Sequence, residues 1–130
     1  MVMVRLYQVP DDFEAMIRIF REDEGGRKSP PFNGIRWDLN YAEELPSVGL
    51  YMIWPDFLND DGVSLPQTKS LPVDRLLRAR MHIVIAEMRS QVHRSRIKVG
   101  TRFYCCEGPR RVAEGEVVGP GAVLITITAA

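Results

Sequence analysis

The sequence predicts an all-β protein, and three observations support this fold class. Several short segments alternate apolar and polar residues with the period of two that is typical of half-buried strands. The connections between them are rich in Gly and Pro, and no segment has the pattern of a long helix. We therefore expect the 130 residues to form one domain of six or more short strands, arranged as a sandwich or a small barrel.

The first predicted strand runs from Phe13 to Phe20. Its apolar residues Phe13 and Ile17 fall on one face, whereas Glu14 and Arg18 fall on the other. The segment 22–31 that follows is acidic at its start, contains Gly25-Gly26 and ends in two prolines. Because it has no apolar periodicity, it is predicted to be a loop.

Two further strands are predicted before a long surface connection. One spans 32–41 and is interrupted near Asn33-Gly34, where turn-forming residues weaken the pattern. The other spans 48–54, a compact apolar run that ends before Pro55. The segment 59–72 contains Asp60-Asp61-Gly62 and two prolines, and is expected to be a connection on the surface.

The strongest alternation in the chain lies between Arg78 and Met88. One face of this predicted strand is apolar, and the β-branched run Ile83-Val84-Ile85 favours a strand over a helix. The apolar row consists of Ala79, Met81, Ile83 and Ile85, and the opposite row of Arg78, Arg80, His82 and Val84.

The C-terminal part of the chain predicts a hairpin followed by one more strand. Strands at 101–106 and 112–118 flank the turn 107–110, which contains Gly108-Pro109. A last apolar segment, 122–128, is predicted to be a strand within a C-terminal extension, 119–130, and residues 1–12 form the matching extension at the other end.

The charges of the chain cancel in total but not along its length. The 17 basic residues equal the 17 acidic ones, yet residues 1–66 carry six basic and twelve acidic residues, and residues 67–130 carry eleven and five. A barrel built from these halves has either one acidic and one basic face, or halves that pair and neutralise each other. The sequence leaves both arrangements open.

Motifs of the common enzyme classes are missing from the sequence. There is no Gly-x-x-x-x-Gly-Lys-Ser/Thr loop, so we expect no GTP and no other cofactor. The spacing of His82, His93, Cys105 and Cys106 matches no zinc pattern, and we expect no metal. Adjacent strand residues point to opposite faces, which predicts one core and one surface cysteine. No apolar run is long enough for a membrane helix and no signal peptide is recognisable, so the cytoplasm is the expected compartment.

Two rows of basic residues carry more information about function. Arg78, Arg80 and His82 alternate along one predicted strand, and Arg94, Arg96 and Lys98 alternate in the same way further on. If both rows lie on one face of a sheet, they would contact the phosphate backbone of a nucleic acid. The alternative is that they form an ordinary solvated face, since no aromatic row accompanies them for base stacking.

Three motifs along the chain match one known family in the same order. The first is Phe13-Glu14-Ala15 with Asp23-Glu24-Gly25-Gly26-Arg27-Lys28-Ser29-Pro30 and Phe32-Asn33-Gly34-Ile35-Arg36, and the second is Pro72-Val73-Asp74. The third is Val99-Gly100-Thr101-Arg102-Phe103 with Glu107-Gly108 and Arg110 to Val118. Together they resemble the third, C-terminal domain of translation elongation factor Tu. The resemblance implies a closed antiparallel six-stranded barrel of Greek-key type, with an inserted segment near residues 42–70. It also implies that the chain lacks the family's GTP-binding domain and is no elongation factor by itself.

The resemblance further implies a set of binding residues, because the family's domain contacts the T stem of aminoacyl-tRNA and a protein partner. Arg27 and Lys28 match a basic pair that approaches RNA, Glu107 and Gly108 match residues that meet the T stem, and Arg89 is a looser match. Gly25, Gly26 and Gly34 are expected to serve their turns. The inserted segment is expected to cover a barrel edge or to form an oligomer contact.

The RNA-facing positions depart from the family's pattern. Cys106 replaces the Arg before Glu-Gly, Pro109 replaces a Gly, and Trp37-Asp38 replaces Pro-Gln. Our first hypothesis is therefore a non-enzymatic protein-interaction module linked to translation; the alternatives are tRNA or RNA binding, and an enzyme that uses Cys105 or Cys106 with His93. The candidate RNA- or partner-binding residues are Arg27, Lys28, Arg78, Arg80, His82, Arg89, Arg94, Arg96, Lys98, Glu107, Gly108 and Arg110.

Overall fold

The computed structural model describes residues 5–7 and 9–119, and within them six strands close into an antiparallel barrel. The strands are β1 (Phe13–Ile19), β2 (Trp37–Tyr41), β3 (Tyr51–Phe57), β4 (Leu76–Ile83), β5 (Arg102–Glu107) and β6 (Arg110–Gly119). Their order around the barrel is β1-β4-β3-β2-β5-β6. Because β2, β3 and β4 are consecutive neighbours and β4 lies beside β1, the connectivity is a Greek key. The predicted closed six-stranded barrel is confirmed.

Alternate residues of the strands point inward and form the core, as the period of two predicts. In β1, Phe13, Ala15, Ile17 and Ile19 are all fully buried. Gly115 of β6 faces Phe103 of β5, and a Cβ at this glycine would lie 2.5 Å from the end of the Phe103 ring. The ring therefore occupies space that any side chain on residue 115 would need.

The predicted second strand is shorter than expected because the Asn33 side chain holds the chain in a turn. Its amide nitrogen donates to Leu65 O at 2.8 Å, and its oxygen accepts from Phe57 N at 2.9 Å. Gly34 follows with a φ of +93°, and Phe32 forms an isolated bridge to Ser70. The strand therefore begins at Trp37 rather than at Phe32.

The third predicted strand was expected to end before Pro55, and this was wrong. β3 continues to Phe57, with Pro55 opposite Met81 of β4. Its pairing with β2 ends at Ile53, so no β2 carbonyl requires an N–H at Pro55. β3 belongs to the segment 42–70 and is itself a strand of the closed barrel, with β2 on one side and β4 on the other.

The strand predicted from Arg78 to Met88 and the alternating row after it were partly wrong. β4 ends at Ile83, and the chain then forms a short helix, α1 (Glu87–Gln91), and a 3₁₀ helix, His93–Ser95. Arg94, Arg96 and Lys98 are therefore not a strand row. A second 3₁₀ helix, Glu22–Glu24, lies in the predicted loop after β1.

Asp12 and Gly119, at the boundaries of the two predicted extensions, take part in the barrel. Gly119 is the last residue of β6, and Asp12 joins β4 through its N–H, which donates to Met81 O at 2.8 Å. The strand predicted at 122–128 lies outside the described residues. Within the described residues, no helix has the length and apolar character to cross a membrane.

Candidate functional site

Ion pairs join the two halves of the chain and neutralise charged residues of both. Arg78 of β4 lies 3.0 Å from Glu14 of β1, and Arg18 of β1 lies 2.9 Å from Glu114 of β6. These pairs form because antiparallel register places the residues on adjacent strands and on the same outer face. Of the two arrangements that the sequence leaves open, the folded barrel adopts mutual neutralisation at these positions.

The predicted row on β4 is mostly buried rather than solvated. Arg80 is 7% exposed and His82 is 3% exposed, whereas Arg78 is exposed and paired. Arg80 donates to Gly62 O in the connection that covers this face. His82 donates from Nδ1 to Trp54 O at 3.1 Å, and burial lowers its pKa. This row therefore does not present three free cations to a phosphate backbone.

Other basic candidates are engaged with carboxylates. Arg96 lies 2.6 Å from Glu43 and also pairs with Glu44, while its guanidinium stacks on the Tyr41 ring. The remaining cations of this segment, Arg94 and Lys98, are exposed and form no ion pair with any residue in the described ranges.

Five of the predicted residues do come together at one end of the barrel. The loop 25–28 packs beside the β5–β6 turn, where Arg110 donates from Nε to Gly25 O at 3.0 Å. Arg27 lies 2.9 Å from Glu107, which also accepts a hydrogen bond from Trp37 Nε1 at 3.0 Å. Glu107 and Arg27 therefore neutralise each other, and the exposed cations of this cluster are Lys28 and Arg110.

The turn glycines lie where the backbone requires them. Gly25 and Gly108 have φ values of +92° and +60°, in the left-handed region that favours glycine. Gly26 has an ordinary φ, but a Cβ there would lie 2.3 Å from Phe20 O. These constraints belong to the backbone and do not by themselves indicate a ligand.

The groups required by the cysteine-enzyme hypothesis are buried and poorly reactive. Both cysteines are buried free thiols, so the prediction of one surface cysteine was wrong. A bulge between β5 and β6 lies at this pair, and Cys106 is covered on the outer side of the barrel, close to Arg111 and Asp38. Burial raises the pKa of both thiols, that of Cys106 to about 11, so both are protonated at neutral pH.

The Tyr41 hydroxyl, and not a thiol, forms a hydrogen bond with His93 Nδ1. The imidazole of His93 is fully buried, and this burial lowers its pKa to about 4. In the described part of the chain, no group of three or more His, Cys, Asp or Glu side chains could hold a metal ion.

A groove that the sequence analysis did not predict runs across the outer face of the barrel. It has a volume of about 360 Å³, and apolar side chains from three strands line it: Met16 of β1, Leu76 of β4 and Val118 of β6. Leu76 is 64% exposed and Val118 is 39% exposed. Tyr104 of β5, Ala42 and Arg102 also line this surface, with Glu114 and Glu116 beside them. We call it the outer groove.

A signal for this groove is present in the sequence. Met16 stands between Glu14 and Arg18 in the polar row of its strand, and Val118 follows Glu114 and Glu116 in the same manner. An apolar residue in an otherwise charged row leaves apolar surface in water. These interruptions of the charged rows mark Met16 and Val118. The sequence does not show that their two strands bring them together.

No protein-family model matches this chain, and no curated protein matches it at a significant level. The resemblance to the third domain of elongation factor Tu therefore stays a prediction.

Proposed function

We propose that this chain is a non-enzymatic protein-binding module, and that the outer groove receives a segment of its partner. The observation that carries the proposal is the grouping of Met16, Leu76 and Val118 in a groove that charged side chains border. Contiguous exposed apolar surface with a polar rim is typical of protein-interaction sites. The resemblance to a translation-factor domain supports a partner in translation, and two buried thiols are compatible with the reducing cytoplasm.

The charges of the barrel support a protein partner over an RNA. Arg27, Arg78 and Arg96, which were candidates for phosphate contacts, are each within 3.0 Å of a carboxylate of this chain. A phosphate would have to displace those carboxylates before it gained the same interaction. Binding in the apolar groove needs no such exchange, because it only removes apolar surface from water.

The proposal is tested with a library of random twelve-residue peptides displayed on phage and selected on the immobilised protein. A selected peptide is then measured by fluorescence anisotropy against wild type and against Leu76→Asp. We expect at least ten-fold weaker binding by Leu76→Asp, since a carboxylate in the groove would be desolvated by the peptide.

The matched control for this measurement is Leu45→Asp. Leu45 is 65% exposed, as Leu76 is 64% exposed, but it does not line the outer groove. This variant should bind the peptide as wild type does. If the library yields no binding peptide, or if both variants weaken the binding equally, the proposed function is wrong.

A second candidate, RNA binding, is favoured by the exposed cations Lys28 and Arg110. The hydrogen bond from Arg110 to Gly25 O keeps their two loops side by side. Anisotropy of labelled bulk tRNA between 50 and 200 mM salt tests it. Two phosphate contacts predict a slope of about −2 for log affinity against log salt. Loss of binding in the double variant Lys28→Glu, Arg110→Glu would support this candidate, and no binding by wild type at low salt would exclude it.

A further inference from the structure

A second cavity of about 390 Å³ adjoins the outer groove. Ala42 and Arg102 line both cavities, so the two cavities adjoin on the β5 side of the barrel. Beyond these two residues the walls change from apolar to polar, and Arg96, Lys98 and Thr101 line the second cavity. We call this part the polar end of the groove.

Two cations at the polar end are available to a ligand. Lys98 is exposed and has no ion-pair partner among residues 5–7 and 9–119. Arg102 has a side chain that is 77% exposed, and its contact to Glu116 is long, at 3.5 Å. Arg96 contributes no free charge, because Glu43 and Glu44 already contact its guanidinium.

The carboxylates along the groove are occupied to different degrees. Glu114 lies 2.9 Å from Arg18, and Glu43 lies 2.6 Å from Arg96. Glu116 lies 3.5 Å from Arg102. A carboxylate of the partner could therefore replace Glu116 and bind the Arg102 guanidinium at a shorter distance. The cations at the polar end that have no carboxylate within 3.0 Å among the described residues are therefore the ammonium of Lys98 and the guanidinium of Arg102.

We infer that the outer groove selects a partner segment in which an apolar side chain lies near an Asp or Glu. The apolar side chain packs on Met16, Leu76 and Val118, and the carboxylate binds Lys98 and Arg102. This inference rests on the proposed function, because it names the chemistry of the segment that the groove receives. Its physical basis is charge complementarity, which contributes more to the choice of partner than to total affinity.

The same random-peptide library tests this inference through the composition of the selected peptides. Peptides recovered on wild type should be enriched in Asp and Glu relative to the unselected library. On the double variant Lys98→Glu, Arg102→Glu, the enrichment should shift to Lys and Arg. A peptide selected on wild type should bind this variant at least ten-fold more weakly at low salt, and the difference should shrink as salt rises.

The control is Lys28→Glu, Arg94→Glu, which changes the net charge equally at exposed positions that line neither cavity. It should retain the acidic preference of wild type. If selected peptides require Leu76 but show no acidic preference, or if the charge reversal leaves their composition unchanged, the inference is wrong and the proposed function stands. If no peptide is recovered, or recovered peptides bind without Leu76, both are wrong.

Discussion

Asp12 and Arg89 form an ion pair of 2.6 Å between residues that are 77 positions apart in the chain. The Asp12 carboxylate has no exposed surface, and it also accepts a hydrogen bond from Ile83 N at 2.7 Å. Asp12 directly precedes β1, so these contacts connect the end of β4 and the short helix α1 to the start of β1. The family resemblance suggested Arg89 as an RNA contact, but the structure places its guanidinium on a buried carboxylate.

We predict that Arg89→Met destabilises the fold, because it leaves a buried carboxylate without its cation. Breaking a buried pair costs about 3–5 kcal/mol, and the partial exposure of Arg89 reduces this to about 2 kcal/mol. Urea unfolding measures the change. Arg94 is an exposed cation of the same segment and has no ion pair among residues 5–7 and 9–119, so Arg94→Met should change the free energy of unfolding by less than about 0.5 kcal/mol. Equal effects of both substitutions would contradict this role of Arg89.

A different result is expected for the surface pair Arg78–Glu14. The side chains are 47% and 22% exposed, so water and salt screen the attraction at 3.0 Å. A double-mutant cycle with Arg78→Ala and Glu14→Ala should give a coupling energy below about 1 kcal/mol. A coupling of several kcal/mol would mean that this face of the barrel is far less solvated than the structure indicates.

His93 predicts a loss of stability in acid. Its folded-state pKa of about 4 lies below the value of 6.5 for a free imidazole, because the buried ring is costly to charge and Arg96 and Arg89 oppose the charge. Below pH 6.5 the unfolded chain therefore binds more protons than the folded protein. The contribution of the neutral His93 ring to the free energy of unfolding is lost as the pH falls toward 4. Between pH 7 and pH 5 this group should reduce the free energy of unfolding by about 2 kcal/mol.

The variant His93→Gln separates this effect from the titration of carboxylates. Gln stays neutral over the whole range, so the difference in stability between wild type and variant should shrink by about 2 kcal/mol from pH 7 to pH 5. Urea unfolding at the two pH values measures this difference. If the difference in stability between wild type and His93→Gln is the same at pH 7 and at pH 5, His93 does not cause the loss of stability in acid.

Gly115 is predicted to be intolerant of a side chain. A Cβ would lie 2.5 Å from the Phe103 ring, and the ring is 1% exposed in the core. Gly115→Ala should therefore cost about 1–3 kcal/mol through overpacking. Gly119→Ala on the same strand should be milder, because its Cβ would meet the flexible Glu14 side chain at 3.3 Å. Thermal unfolding compares the two, and a larger loss at Gly119 would contradict the packing described.

The barrel could be predicted from the sequence where local pattern and burial agree. β1 follows its alternation closely, and the β5–β6 turn follows Gly108-Pro109, because both depend on residues near each other in the chain. Prediction was wrong where a distant group decides the outcome. The Asn33 side chain shortens β2 through contacts with residues 57 and 65, and the buried carboxylate of Asp12 holds the end of β4.

The candidate site was harder to predict than the fold for the same reason. Spacing alone placed Arg80 and His82 in an exposed row. Gly62 of the connection after β3 contacts Arg80, and the Tyr7 ring contacts His82, and neither contact is contained in their alternation. The outer groove depends on how β1, β4 and β6 align side by side. Register of this kind follows from the closed barrel and not from any one segment.

The most direct test of the proposed function is a map of peptide binding on the folded protein by ¹⁵N NMR. A peptide selected from the random library should shift the backbone amides of Met16, Leu76 and Val118, together with Arg102 at the junction with the polar end of the groove. Amides of the loop 25–28 should remain unchanged. Shifts confined to that loop and the turn 107–110, with none in the outer groove, would contradict the account.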